Sequence, residues 1–318
     1  MRAETTAYGE TIMTKLWCPE REIELIAGTP PGGGQDRPAR ALIGILDRLR
    51  VLDRPVQVLN MPGKGGGAAW DYIHAHPGDP HRLAINSPPL VTNRIVGVSD
   101  YDHADLTPIA MLYTEYVAFV VPADSPLQSA TALRDRLGTD PASITVSLAT
   151  ALGTSNHIAL AAIARQAGGD PRALRIRVFD SARYAVADVL DGNAQVAAVT
   201  AVSAVPELAE GRLRALAVTA PERLAGIFAE APTWAEVGID CVIGTWRGVI
   251  APAGITAEQC AFWESILRQA TRDPGWHAEL ARQYWIDLFL GATDTRAFLD
   301  EERARLEDAL ERLRVDNV

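Results

Sequence analysis

Cysteine is scarce in this sequence, which has three such residues among 318: Cys18, Cys241 and Cys260. They are too few and too far apart for a disulfide framework or a zinc site, and so low a count is typical of a reducing compartment. The histidines of the stretch His74–His81 lie in a proline-rich polar segment without the i, i+4 spacing of a helical metal site. We therefore predict that the chain binds no metal ion.

Long apolar runs are also missing. No segment approaches the ~18 apolar residues of a membrane-spanning helix, so we expect no membrane insertion. Met1–Glu20 is a polar extension without the charged start and apolar core of a secretion signal. As written, the sequence thus predicts a cytoplasmic protein.

Lysine is almost absent. Lys15 and Lys64 are the two lysines among 30 basic residues, and the net charge is −10. An acidic chain is a poor nonspecific binder of nucleic acid, so we predict no such partner, and an anionic ligand would need a local positive site. Lys64 is one candidate for that site because it stands in a glycine-rich loop. A solvent-exposed lysine is the simpler interpretation.

Glycine and proline are plentiful, and their most informative cluster is Thr29-Pro30-Pro31-Gly32-Gly33-Gly34-Gln35-Asp36. The pattern of Glu22–Ala27 predicts a buried strand before it, and apolar residues at helical spacing predict a helix after it. A glycine loop that opens a helix presents N–H groups and a positive dipole end, which suits an anion. Asp36 is more typical of a helix cap there than of a base. The spacing matches neither a dinucleotide fingerprint nor a Walker loop, and a plain strand-to-helix turn is the alternative.

The order of predicted elements divides the chain into two α/β halves. Strands and helices alternate up to the strand Arg82–Asn86, and Asn60–Gly67 repeats the pattern of a glycine loop opening a helix. The alternation restarts after the β-prone run Tyr116–Val121, includes a strand at Val196–Thr200, and is followed by a late buried strand at Thr245–Ala251. The predicted bounds are an extension at residues 1–20, lobe 1 at 21–120 plus 246–318, and lobe 2 at 121–245.

Several segments together resemble one known family. They include Pro30–Leu42, Val58–Gly66, Val120–Pro126, Gly211–Thr219 and Trp246–Ile255. In this order, over roughly residues 20 to 316, they are similar to the tripartite tricarboxylate transporter receptors, the TctC or Bug family of solute-binding proteins. The Trp-Arg-Gly form at Trp246 looks like the tricarboxylate-type branch of that family.

The resemblance implies a type 2 periplasmic-binding-protein fold, in which two α/β lobes joined by a hinge close on a ligand in the cleft between them. It implies a small carboxylate as ligand, either a di- or tricarboxylate or a related organic acid, and no cofactor. A membrane permease or a sensor would be the protein partner. The location would be periplasmic if the N-terminus is incomplete, and the oligomeric state stays open.

The predicted ligand-binding residues fall into two groups. Those carried over from the resemblance are Thr29, Gly33, Gly34, Asp36, Thr150, Gly153, Thr154 and Ser155. Those added for their chemistry or their place beside the cleft are Gln35, Lys64, Ser87, Asp180, Ser181, Arg183, Thr200, Trp246 and Arg247.

The chain departs from the family pattern at several of these positions. Asp180-Ser181-Ala182-Arg183 stands where the family commonly has Ser-Gly-Gly-Gly, and Thr200–Ser203 replaces a glycine- or serine-rich segment with an aromatic residue. Asn156 replaces an acidic residue, and Gln35 stands where the family has a bulky one. We therefore expect a cleft that differs from that of an ordinary tricarboxylate receptor.

Arg183 and Arg247 are the best candidates for a direct contact with a carboxylate, because a guanidinium group matches a carboxylate in a bidentate manner. A solvated or structural arginine is the alternative at both positions. Arg247 lies inside an apolar strand and must therefore be paired. Of the seven tryptophans, Trp70 and Trp246 are placed where they would border the cleft.

An enzyme built on the same fold is the alternative function. A cytoplasmic isomerase, lyase or hydrolase acting on a carboxylate would fit the missing secretion signal, with His157, Asp180, Arg183 and Lys64 as candidate catalytic residues. The hydroxyls before His157 lack the second glycine of a nucleophile elbow, so capping and ligand contact are the preferred interpretation there. An intracellular sensor with a protein partner is the third possibility.

Overall fold

Strands and helices alternate along most of the chain in the computed structural model, which describes residues 17–149 and 151–313. The strands are β1 (Ile23–Ala27), β2 (Val56–Asn60), β3 (Arg82–Asn86), β4 (Thr107–Pro122), β5 (Thr145–Ala149), β6 (Arg175–Phe179), β7 (Val196–Thr200), β8 (Leu213–Val218), β9 (Gly244–Ala251) and β10 (Ile286–Leu290). The helices are α1 (Asp36–Leu49), α2 (Gly67–His74), α3 (Pro89–Ile95), α4 (Ala130–Thr139), α5 (Ser155–Gln166), α6 (Ala182–Leu190), α7 (Val205–Ala209), α8 (Ala257–Thr271), α9 (Pro274–Gln283) and α10 (Ala292–Leu313).

The strands form two sheets that share β4. In the first sheet the order is β2-β1-β3-β9-β4, with β1 parallel to both neighbours and β10 on the other side of β4. In the second sheet β5 runs parallel to β6 and β7, and β4 lies between β7 and β8 in antiparallel pairing. Parallel strands end at the same edge of a sheet, so the loops after β1 and β3, and those after β5 and β7, each gather at one edge.

β4 passes from one sheet to the other within its length. Tyr116 is the last of its residues to pair with β9, opposite Gly244, and Val117 is the first to pair with β7, opposite Thr200. Most of the strand is buried, as expected for a strand covered on both faces. The predicted lobe bounds stay a prediction; the change of sheet at residues 116/117 lies just before the predicted division at 120/121.

The first strand and helix form as their sequence pattern predicts. β1 is apolar where it enters the sheet, and α1 turns Ala39, Leu42, Ile45 and Leu46 towards the core at helical spacing. The wide turn between them contains the glycines of the first glycine loop (residues 29–35). The second glycine loop (residues 61–66) connects β2 to α2 in the same way.

α10 packs against both halves of the molecule. Leu299, Leu306 and Leu310 belong to one buried cluster together with Val91 of α3 and Ile158 of α5. The helix therefore joins elements that the two sheets otherwise separate. Within residues 17–149 and 151–313, no helix combines the length and the apolar character needed to cross a membrane.

Candidate functional site

A pocket lies where the two sheets meet, at the carboxyl ends of strands from both. It has an empty volume of about 460 Å³, including its open mouth. The residues that line it are Thr29, Gln35, Gly65, Ser87, Pro89, Ala149, Thr154, Ser155, Asn156, Thr200, Thr245 and Arg247. Both glycine loops and the start of α5 thus contribute to one shared crevice.

Thr29 connects the start of α1 with the pocket. Its hydroxyl oxygen accepts hydrogen bonds from the backbone N–H groups of Gln35 (3.2 Å) and Asp36 (3.3 Å). A hydroxyl has two acceptor lone pairs and one hydrogen, so both lone pairs of Thr29 are occupied and its hydrogen remains to be donated. The Thr29 side chain lines the pocket, so its hydroxyl accepts from the positive start of α1 on one side and can donate to a ligand on the other.

Gln35 is a positioning residue in this structure. Its side chain is buried, its Oε1 atom accepts from the Gly28 N–H at 2.7 Å, and its Nε2 atom donates to the Ser87 hydroxyl at 3.1 Å. Ser87 therefore keeps its own hydrogen for another acceptor. The amide of Gln35 holds the first glycine loop and the end of β3 in fixed relation.

Asp36 does not line the pocket. Its buried carboxylate accepts from the Gly32 N–H at 2.7 Å, from Arg40 Nε at 2.9 Å and from Asn60 Nδ2 at 2.9 Å. Burial works to raise the pKa of Asp36, but these hydrogen bonds outweigh it and the pKa is lowered. Asp36 is the first residue of α1, and its carboxylate accepts from the loop before the helix and not from N–H groups of the first turn, so it holds the loop and does not cap the helix as predicted.

The second glycine loop touches the backbone of Gly28, which directly precedes the first glycine loop. A Cβ atom on Gly28 would lie 2.6 Å from the Cα atom of Gly66, closer than such atoms approach in proteins. Gly66 itself has a φ of 108°, a conformation that suits glycine. The close approach of the loops therefore depends on the absence of a side chain at residue 28.

We expect Gly28→Ala to lower the free energy of unfolding by about 1–3 kcal/mol, because the added methyl group forces the loops apart. The matched control is Gly44→Ala on the exposed side of α1, where a Cβ meets nothing within 4 Å. That change should instead stabilise the protein by about 0.5–1 kcal/mol. Urea titration followed by tryptophan fluorescence measures both, and equal effects of the two variants would contradict the prediction.

The start of α5 supplies the opposite wall of the pocket. The Thr154 hydroxyl donates to the Ala151 carbonyl at 3.0 Å, and the Ser155 hydroxyl donates to the Gly244 carbonyl at 3.0 Å. Among the described residues the N-cap Thr154 makes no side-chain bond to the first turn of α5, so the N–H groups of that turn are left as donors for a ligand. Thr150, predicted to bind the ligand, lies outside the described residues.

Arg247 lines the pocket and is paired, as its place in an apolar strand requires. Its Nη2 atom lies 3.1 Å from Oε1 of Glu115, and the exposed fractions of the two side chains are 8% and 4%. Its Nε atom donates to the Gly34 carbonyl at 3.2 Å and its Nη1 atom to the Trp246 carbonyl at 2.9 Å. Burial raises the pKa of Glu115, although the positive charge of Arg247 acts to lower it. Glu115 was not predicted from the sequence; the available signal was a carboxylate directly before the β-prone run Tyr116–Val121.

Several predicted site residues do not line the pocket. Lys64 is exposed and lies 2.9 Å from Asp71, and Arg183 is exposed with its guanidinium 5.2 Å from the ring centre of Tyr184. Trp246 is buried and donates to Glu302 of α10 at 3.0 Å. The others outside the lining are Gly33, Gly34, Gly153, Asp180 and Ser181. Their roles in binding stay predictions.

His157 also lies behind the pocket wall. It is buried in the first turn of α5, and its Nδ1 atom accepts from the Gly153 N–H at 3.0 Å. Burial lowers its pKa to about 4, so the neutral ring holds the loop after β5. None of the four residues suggested for catalysis, His157, Asp180, Arg183 and Lys64, lines the cavity.

A family model matches most of this chain. The tripartite tricarboxylate transporter family receptor model, TctC, aligns with residues 45–314. The UPF0065 protein in the tcbD-tcbE intergenic region of a Pseudomonas species is 31% identical over 74% of this chain and 69% of its own length. Protein BugT of Bordetella pertussis is 27% identical over 92% of this chain and 87% of its own length.

Solved structures with the same fold cover nearly all of the chain. A TctC solute-binding protein from Polaromonas is 25% identical with a TM-score of 0.71, over 92% of this chain and 99% of that one. A Rhodopseudomonas palustris protein solved with adipate has a TM-score of 0.85 at 22% identity, over 94% and 99%. MatC from the same organism, with bound malate, has a TM-score of 0.79 at 20% identity, over 92% and 99%. The predicted two-lobed α/β fold is confirmed.

Proposed function

Since this chain belongs to the family of tripartite tricarboxylate transporter receptors, we propose that it is a solute-binding protein that captures a small organic acid between its two lobes. Structures of the same fold hold malate or adipate, both small dicarboxylates, which supports a ligand of this class. The enzyme alternative gains no support from the geometry of its four candidate residues.

One observation carries this proposal: the start of α1, which follows a strand of the first sheet, and the start of α5, which follows a strand of the second, face the same pocket. Helix N-termini favour negative charge because their first N–H groups have no partner within the helix. A carboxylate between them would accept from Thr29 on one side and from the first turn of α5 on the other. The guanidinium of Arg247 adds further donors to the same cavity.

A ligand that bridges both walls favours the closed arrangement of the lobes. Its contacts with both helices exist only when the sheets are close, so binding shifts the protein towards closure. β4, which passes from one sheet to the other, is the element about which such a movement would occur.

Calorimetry of the purified chain against a panel of C3–C6 organic acids, including malate and adipate, tests the proposal. We expect at least one acid to bind, and failure of the whole panel would overturn the proposal.

Thr29→Val should weaken binding of the tightest ligand about tenfold and lower the free energy of unfolding by about 1 kcal/mol, because it removes both a donor and a helix cap. Thr29→Ser keeps the hydroxyl and serves as the matched control.

We further propose that the protein passes its ligand to a membrane transporter of the tripartite type, as the family name implies. That role requires a periplasmic location. Fractionation of cells that express the natural gene from its own start would test it, since recovery with cytoplasmic markers would favour the sensor or another intracellular role.

A further inference from the structure

The pocket contains little net charge of its own. Among the described residues that line it, Arg247 alone carries an ionisable side chain, and Glu115 at 3.1 Å balances that charge. Both side chains are more than nine-tenths buried, so solvent screens the two charges to a similar, small extent. The pair as a whole presents no net charge to a ligand.

The remaining positive character comes from two helix starts. A helix N-terminus is equivalent to about half an elementary charge, so α1 and α5 together provide about one. Asp36 in the first turn of α1 does not change this total, because Arg40 lies 2.9 Å from its carboxylate. Arg37 also faces Glu115, but it is half-buried, donates its Nε to the Gly32 carbonyl and does not line the cavity, so the groups that line the pocket compensate about one negative charge on a ligand.

Arg247 has donors left for a neutral group. A guanidinium has five N–H donors, of which the Gly34 and Trp246 carbonyls accept from two, while Nη2 lies 3.1 Å from Glu115 as an ion pair. The donors that these contacts leave suit a carbonyl or hydroxyl oxygen. A second carboxylate there would place two negative groups beside one buried guanidinium, which is costly.

Resting on the proposed function, we propose that the pocket selects an organic acid with one ionised carboxylate and a neutral hydrogen-bonding group, and that Glu115 determines this selectivity. The carboxylate lies between the starts of α1 and α5. The neutral group, such as a carboxamide or hydroxyl, lies against Arg247. Glu115 acts through Arg247 and is a positioning residue, since it does not itself line the cavity.

A dianion can still enter if Glu115 takes up a proton. The groups that face Glu115 are Arg247 from β9, Arg37 from α1, the Thr200 hydroxyl at the end of β7, Trp285 directly before β10, and Tyr113 of β4 itself. Burial already raises the pKa of Glu115, and a second carboxylate beside Arg247 would raise it further. Dianion binding should therefore be accompanied by proton uptake, whereas monoanion binding should not.

The test compares succinate, glutarate and adipate with their monoamides by calorimetry between about pH 6.5 and 8.5, above the ordinary carboxyl range. For the best-fitting chain length, the wild-type protein should bind the monoamide at least about tenfold more tightly than the diacid. Titrations in buffers of different ionisation enthalpy should show proton uptake with the diacid alone. These two measurements need no variant.

Glu115→Gln should reverse or remove the preference for the monoamide, because the positive charge of Arg247 then has no carboxylate partner in the protein. Diacid binding should become independent of pH, because glutamine cannot take up the proton. Glu236→Gln, in the exposed pair with Arg223, is the control and should leave the preference unchanged. A wild-type preference for the diacid, or an unchanged preference in Glu115→Gln, would overturn this inference and leave the proposed function standing. Failure of all six ligands together with the wider panel of C3–C6 acids would overturn both.

Discussion

Replacing Arg247 with methionine should lower the free energy of unfolding by about 3–5 kcal/mol, the largest effect that we expect from a single substitution. Methionine fills much of the same space but leaves the carboxylate of Glu115 buried without its counter-charge. It also removes the bonds to the Gly34 and Trp246 carbonyls, which fix the first glycine loop against β9.

The double variant Arg247→Met with Glu115→Leu should recover most of that loss, because two apolar side chains of similar size leave no buried charge. Arg223→Met removes an arginine from an exposed pair with Glu236, and we expect it to cost less than about 1 kcal/mol. Urea denaturation of all three proteins gives the comparison. If Arg247→Met and Arg223→Met unfold at the same urea concentration, breaking the buried pair costs no more stability than breaking the exposed one, which contradicts the prediction.

Acidification should destabilise the wild-type protein through His157. Its pKa is about 4 when folded, below the ~6.5 of an unfolded histidine, so the unfolded chain binds the proton more tightly. The stabilisation is therefore complete above about pH 6.5 and is lost as the pH falls towards 4, by about 3 kcal/mol in total. A charged ring would also lose its bond from the Gly153 N–H, which forms part of the loop after β5.

His157→Asn isolates this contribution, because asparagine offers an acceptor near the position of Nδ1 and does not titrate in this range. The difference in unfolding free energy between wild type and variant, measured at pH 7.5, 5.5 and 4.5, should shift by up to about 3 kcal/mol against the wild type. Carboxyl groups titrate equally in both proteins and cancel in the difference. Parallel pH curves would show that His157 is not the residue responsible.

Local patterns in the sequence predicted the parallel core of the fold well. The strands Arg82–Asn86 and Val196–Thr200 have the predicted bounds, because apolar runs that end at turn-forming residues leave little choice of start and end. β4 is longer than its β-prone core at Tyr116–Val121, since its first part is held by pairing with β9. β10 was not predicted; it forms by pairing with β4, a partner distant in sequence.

The pocket was only partly predictable. Thr29, Ser155 and Arg247 were identified because glycine loops, caps and buried charges follow local rules. Arg183 matched the same chemical criteria, yet it lies exposed over Tyr184, and no pattern in sequence tells where a side chain at a helix start will point. Glu115 and Arg247 are far apart in the chain, so their pairing emerges only when β4 and β9 lie side by side.

The packing of α10 has a consequence for the order in which the molecule is made. Leu299, Leu306 and Leu310 complete a buried cluster that already includes Val91 and Ile158, from early and middle parts of the chain. During synthesis α10 leaves the ribosome after every other described element, so that cluster stays incomplete until α10 has emerged. Until α10 docks, we expect apolar surface on α3 of one half and on α5 of the other to stay exposed.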